Sequence, residues 1–260
     1  MDKDNLKKRV NQPGMIPLIH NYCDRWCERC PFTSRCSVFA MEEENPTPSG
    51  AKDIDNQAFW NRICENLLDA FDMVREMARE NGVDVDAPIS EEEEERSEAA
   101  RRNAKNNELV KSAEKYMDLV ENWFDSAVDM FREKQEELEM KARIELPGSD
   151  PEAEAVDLND IIEIIEWYHT LIPPKIYRAV FQEPLVLPDD EYFQSDADGS
   201  AKVALISIDR SIAAWMRMRE HLPEKQDEIL DILIQLDRLR KSLEKAFPKA
   251  RAFKRPGFDD

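Results

Sequence analysis

Glycine is scarce in this chain, with six in 260 residues against a usual share of about 7%. Glycine supplies the positive φ angles that tight hairpin turns and phosphate-cradling loops require. Its scarcity argues against sheets and against nucleotide loops, and no GxGxxG or GxxxxGK pattern occurs. Histidine is scarcer still, at three, which is too few for a histidine-rich catalytic metal site. No apolar run approaches the roughly 18–20 residues of a membrane span. The lysine-bearing start has no apolar core of the kind a secretory signal carries.

Positive charge is also short. Lys and Arg number 36 against 56 Asp and Glu, a formal net charge of −20. Such a surface repels nucleic-acid phosphates and anionic membranes. Basic residues cluster only near the ends: Lys3, Lys7, Lys8 and Arg9, then Arg251, Lys254 and Arg255. They read as solvated tails. These exclusions leave a cytoplasmic protein with no membrane or nucleic-acid role, whose partner is another protein. At 42% hydrophobic residues the chain can bury a core.

What is present is helical in period. Trp60, Cys64, Leu67, Phe71, Val74 and Ala78 step by three and four within a helix from about Asp53 to Asn81, predicting one buried stripe. Asn81-Gly82 is a helix stop. The run Glu91 to Glu95 opens a long helical pattern from about Ser97 to Ile144, with Leu109, Ala113, Tyr116, Val120, Trp123, Ala127, Met130 and Phe131 facing in. A third helix, VDLNDIIEIIEWYHTLI, is ended or kinked by Pro173-Pro174, and a short amphipathic piece follows from Lys175 to Gln182. An extended connection containing Pro184 and Pro188 leads to Ser200, the expected N-cap of a mostly apolar fourth helix. Pro223 begins the last, which runs to about Phe247. The expected fold is all-α, a bundle of about five major helices preceded by a cysteine-rich metal-binding arm. Residues 1–50 form the arm and linker, and 51–260 the acidic bundle.

The arm holds YCDRWCERCPFTSRC, which places four of the five cysteines, Cys23, Cys27, Cys30 and Cys36, within fourteen residues. A disulfide framework does not suit a reducing compartment or so cramped a spacing. Close spacing lowers the ordering cost of converging thiolates, so the expectation is a metal centre with these four as ligands. The centre is an iron–sulfur cluster or a tetrahedral zinc ion. The tightness of the first three ligands favours the cluster.

The spacing C-x3-C-x2-C-x5-C partly resembles the cluster loops of bacterial ferredoxins, although a proline follows the third cysteine rather than the fourth. It also partly resembles nucleic-acid-binding zinc knuckles in span and in its aromatics Trp26 and Phe32. It lacks their histidine, and Asp24 and Glu28 cancel the basic charge. C-x3-C-x2-C is the cluster motif of radical SAM enzymes too, but those need a β/α barrel that this composition does not build. With a cluster, the expected function is a redox or electron-transfer accessory. With zinc, it is a structural site in a helical protein–protein interaction module.

Other candidates weigh less. His20 stands three residues before Cys23 and could replace a thiolate, but reads first as a loop histidine. Cys64 reads as a small core residue. Glu166 and His169 make a single E-x-x-H step where di-iron bundles need two. Asp209 interrupts the most apolar helix and calls for an arginine partner, either Arg210 or Arg217 or one elsewhere. His221 suits a helix C-terminus. An enzyme site between helices around His169, Glu166 and Asp209 is the weaker alternative.

Overall fold

The computed structural model describes residues 13–44, 57–80, 82, 84, 87–144, 148–181 and 191–259. The basic cluster at residues 3–9 and the prolines Pro184 and Pro188 lie outside them. The fold is all-α, with seven α-helices rather than about five among the described residues. They are α1 (Ser37–Glu44), α2 (Gln57–Glu80), α3 (Glu91–Asn106), α4 (Glu108–Arg143), α5 (Pro151–Val180), α6 (Glu191–His221) and α7 (Gln226–Ala246). The chain divides into two compact units, residues 95–254 and residues 1–94 with 255–260.

The larger unit is a four-helix bundle in which α4 packs on α5, α5 on α6, α6 on α7, and α7 back on α4. Pairs at the helix ends fix the directions. Lys134 near the end of α4 meets Glu154 at the start of α5. Arg178 at the end of α5 meets Asp196 early in α6 at 2.5 Å. Successive helices therefore run antiparallel, as short connections favour. Tyr116 and Trp215 are fully buried, and Trp215 Nε1 donates to the Tyr116 hydroxyl at 3.2 Å across the core. Trp123 meets Trp215 edge-on at 4.9 Å. Ala113, Val120 and Ala127 bury beside them as the period predicts, and so do Ile229, Ile232, Leu236, Leu239 and Leu243 on α7.

Three helix boundaries differ from expectation. The long pattern after Ser97 breaks at Asn107, whose backbone turns extended (ψ 135°) and whose side chain accepts the Leu109 N–H. That side-chain bond gives the backbone an alternative to continuing the helix. Pro173 and Pro174 do not end α5, which runs through them to Val180. An interior proline costs about 3 kcal/mol, but Ile172, Pro173, Ile176 and Ala179 bury here, and that packing carries the helix onward. Ser200 is not a cap: it lies inside α6 and is fully buried. The Arg178–Asp196 pair ties this earlier part of α6 to α5.

The smaller unit holds α1 and α2, and before them a run of short turns. Three 3-10 turns, Ile19–Asn21, Cys27–Arg29 and Thr33–Arg35, precede α1. Ile16 N–H donates to Arg35 O at 3.0 Å and Arg35 Nε to Gly14 O at 2.9 Å, closing the segment on itself. Ile16, Ile19, Tyr22 and Trp26 form a small core. The end of the chain belongs to it, for Phe258 meets Phe32 edge-on at 5.0 Å. Arg255 and Arg251 are not solvated tails. Arg255 pairs with Asp259 at 3.0 Å, and Arg251, in the larger unit, pairs with Asp209 at 2.6 Å and Glu244 at 2.8 Å.

Candidate functional site

The cysteine loop folds so that Cys23, Cys27, Cys30 and Cys36 all line one pocket, together with His20 and Trp26. The pocket measures about 310 Å³, including the solvent at its open side. All four thiols are half-buried. They arrive from three local devices, Cys27 and Cys30 sharing one. Cys23 Sγ lies 3.5 Å from His20 O, in donor geometry. Cys27 starts a 3-10 turn and Cys30 closes it, its N–H donating to Cys27 O at 3.2 Å. Cys36 closes the next turn through Thr33 O at 3.1 Å.

Sharing a pocket is not sharing a coordination point. Among the described residues, no group of three or more His, Cys, Asp and Glu side chains is placed to hold a metal ion. The expected iron–sulfur cluster or zinc ion at Cys23, Cys27, Cys30 and Cys36 is therefore corrected. With it fall the metal-binding arm, the redox accessory with a cluster and the structural zinc module. The physical reason is local: the four cysteines are spread over successive turns whose own hydrogen bonds set their directions, rather than over one loop curled round a centre. Close spacing lowers the entropy of convergence but does not aim the side chains.

The loop is nonetheless held against local preference. Arg25, between Cys23 and Cys27, has φ 60°, and Leu18 has φ 59°. A left-handed conformation costs a side-chain-bearing residue roughly 1–2 kcal/mol. Arg29 stands 4.0 Å over the Trp26 ring, a cation–π contact. Arg25 and Asp24 bring opposite charges to the same pocket.

The bundle candidates do not come together as an active site. His169 Nδ1 lies 3.1 Å from Ile165 O one turn back, while Glu166 is exposed. Asp209 finds arginines elsewhere, Arg240 at 3.5 Å and Arg251 at 2.6 Å. His221 closes α6 and meets Asp157 at 2.8 Å. Around it lies an ionic network that reading the sequence missed. Arg217 bonds Asp157 and reaches Asp160 at 3.3 Å. Lys134 and Lys141 clasp Glu137 and Glu154 at 2.5 to 3.7 Å. Hydrogen bonds from His221 and then Arg217 hold the Asp157 carboxyl below the usual range. A bond from Lys134 does the same for Glu154. The network joins α4, α5 and α6 and serves the packing.

A second exposed feature was read in the sequence as core. On α2, the expected buried stripe is open: Leu67 is 52% exposed, Phe71 64% and Val74 56%. Leu68 beside them is 66% exposed, and Cys64 is exposed too. Gly82 ends the region as expected, with φ 71° and its N–H on Arg79 O. No described helix is long and apolar enough to cross a membrane. No family model, no curated protein and no solved structure matches this chain.

Proposed function

We propose that this chain is a cytoplasmic, non-enzymatic interaction protein that takes an amphipathic, basic segment of another protein on the apolar face of α2. The observation that carries the reading is the exposure of Leu67, Leu68, Phe71 and Val74 on one helix. Positions 64, 67, 71, 74 and 78 step by three and four, the spacing of a helix seam that fits a second helix. Exposed apolar patches of this kind mark interaction surfaces, and an amphipathic helix draws most of its stability from whatever its apolar face packs against.

Charge selects the occupant. Two copies carrying −20 each repel one another, whereas a Lys- and Arg-rich segment is drawn to the same surface. The apolar ridge of such a segment fills the seam while its basic flanks face the acidic surroundings.

A photo-crosslinking substitution at the centre of the face, Phe71→p-benzoylphenylalanine, tests this in cells. The expected adduct joins position 71 to a basic, amphipathic segment of a different protein and disappears when Leu67→Asp is added. An adduct to a second copy of the chain, to a segment without basic residues, or to nothing overturns the reading.

A further inference from the structure

One stretch of this acidic chain carries the opposite sign. Residues 238–254 hold seven Lys and Arg against a single Glu, a formal +6, so the remainder of the chain carries −26. The carboxylates nearest to the stretch are already engaged. Arg240 holds Asp237 at 2.6 Å, and Arg251 holds Asp209 at 2.6 Å and Glu244 at 2.8 Å. Lys241 takes the other oxygen of Asp237 at 2.7 Å. Four cations are left over: Arg238, Lys245, Lys249 and Lys254 are exposed and make no ion pair among the described residues. Arg238 and Lys245 stand two turns apart on one face of α7, about 10 Å along its axis. After α7 the chain turns, Ala250 N–H donating to Phe247 O at 3.0 Å and Phe253 N–H to Lys249 O at 3.2 Å. Lys202 on α6 holds this turn by donating to the Phe253 carbonyl and, at 3.4 Å, to the Arg251 carbonyl. Ala250 is fully buried beneath it. Lys249 and Lys254 therefore project from a fixed turn and not from a loose tail.

We infer that the end of α7 and the turn after it form a docking surface for a short acidic segment of another protein, with Arg238, Lys245, Lys249 and Lys254 meeting its carboxylates. Charge complementarity sets the class of occupant, and the reach of charge sets its length. Exposed charges are screened beyond about 8 Å at physiological salt, so the acidic remainder of the chain does not prevent contact within the patch. A long polyanion such as a nucleic acid runs off the patch onto that acidic remainder and is repelled there. An extended segment advances about 3.3 Å per residue, so about four residues span Arg238 and Lys245. The occupant is opposite in charge to the one drawn to α2, and different probes read the two surfaces.

The test titrates fluorescein-labelled hexaglutamate with the full chain and reads binding by anisotropy. Binding is expected at about 50 mM salt and should weaken about tenfold by about 200 mM. The variant Arg238→Gln/Lys245→Gln/Lys249→Gln/Lys254→Gln should bind at least tenfold more weakly at an unchanged melting temperature, because none of the four side chains pairs within the fold. Arg132→Gln/Lys225→Gln removes two lone-partner cations elsewhere on the bundle, and it should bind within twofold of the parent, as should Leu67→Asp on α2. No binding by the parent, an unchanged affinity in the fourfold variant, or tighter binding of a single-stranded oligonucleotide at the same salt overturns the inference.

Discussion

Gly257 lies so close to Ile16 that a Cβ on it would sit 2.7 Å from Ile16 Cδ1 and 3.3 Å from Ile19 Cδ1. Its φ of 77° is also one that side-chain-bearing residues rarely adopt. The contact seats the end of the chain on the small core beside the cysteine pocket. Gly257→Ala meets both the strain and the clash, and should destabilise that core by roughly 2 kcal/mol. Alkylation of Cys23, Cys27, Cys30 and Cys36 under native conditions reads the effect, and all four should react several-fold faster in the variant.

The bundle should weaken in alkali through one residue. Burial pushes the Tyr116 phenol up to about 12 from an ordinary 10.0. Below pH 10 the phenol is neutral whether the chain is folded or not. Above it the unfolded chain ionises first, so the stability that neutral Tyr116 contributes is lost as pH climbs towards 12. The loss is on the order of 2–3 kcal/mol. Denaturant midpoints measured from pH 9 to pH 12 should fall less steeply in Tyr116→Phe than in the parent chain.

Acid should act on the network joining α4, α5 and α6. The carboxyls of Asp157 and Glu154 are held below their ordinary values of 3.8 and 4.5. They therefore contribute stability that is complete above about pH 5 and is lost as pH falls through their lowered folded values. Asp157→Asn removes its share, about 1 kcal/mol for a largely exposed pair. The melting temperature of this variant should lie below that of the parent at pH 7 and converge with it near pH 2.

The open face of α2 makes the opposite prediction for stability. Leu67→Asp and Phe71→Asp change side chains that are more than half exposed, so the melting temperature of the isolated chain should stay where it is, within about 0.5 kcal/mol. Binding of the basic partner should weaken 30-fold or more, as when a central anchor is removed from an interface. A large drop in melting temperature would place these residues in a core.

Helix content was legible because a bundle core repeats with the helical period. Ala113, Tyr116, Val120, Trp123 and Ala127 step by three and four and all bury. Boundaries were less legible where a single side chain or long-range packing decides them. Asn107 breaks a helix by accepting one N–H, and Pro173 stays in a helix because its neighbours bury. Periodicity also told that the Leu67, Phe71 and Val74 face needs covering, but not what covers it. Spacing brought four cysteines to one pocket without fixing where their sulfurs point. The contacts of Asp157 with His221 and Arg217 span 64 and 60 residues. In the sequence each of these side chains fits a solvated helix face equally well.

Cys64 lies on the open face, between Trp60 and Leu67, and serves as a probe already in place. The measurement is its rate of alkylation by N-ethylmaleimide, read by peptide mass, in the purified chain across a range of dilutions and in intact cells. Cys64 should react at the rate of an unhindered thiol in the purified chain at every dilution, and be at least tenfold protected in cells. Protection already present in the dilute purified chain would mean that the chain covers its own α2 face. Equal reactivity in cells would mean that no partner does. Either result rules out a basic partner docked on α2.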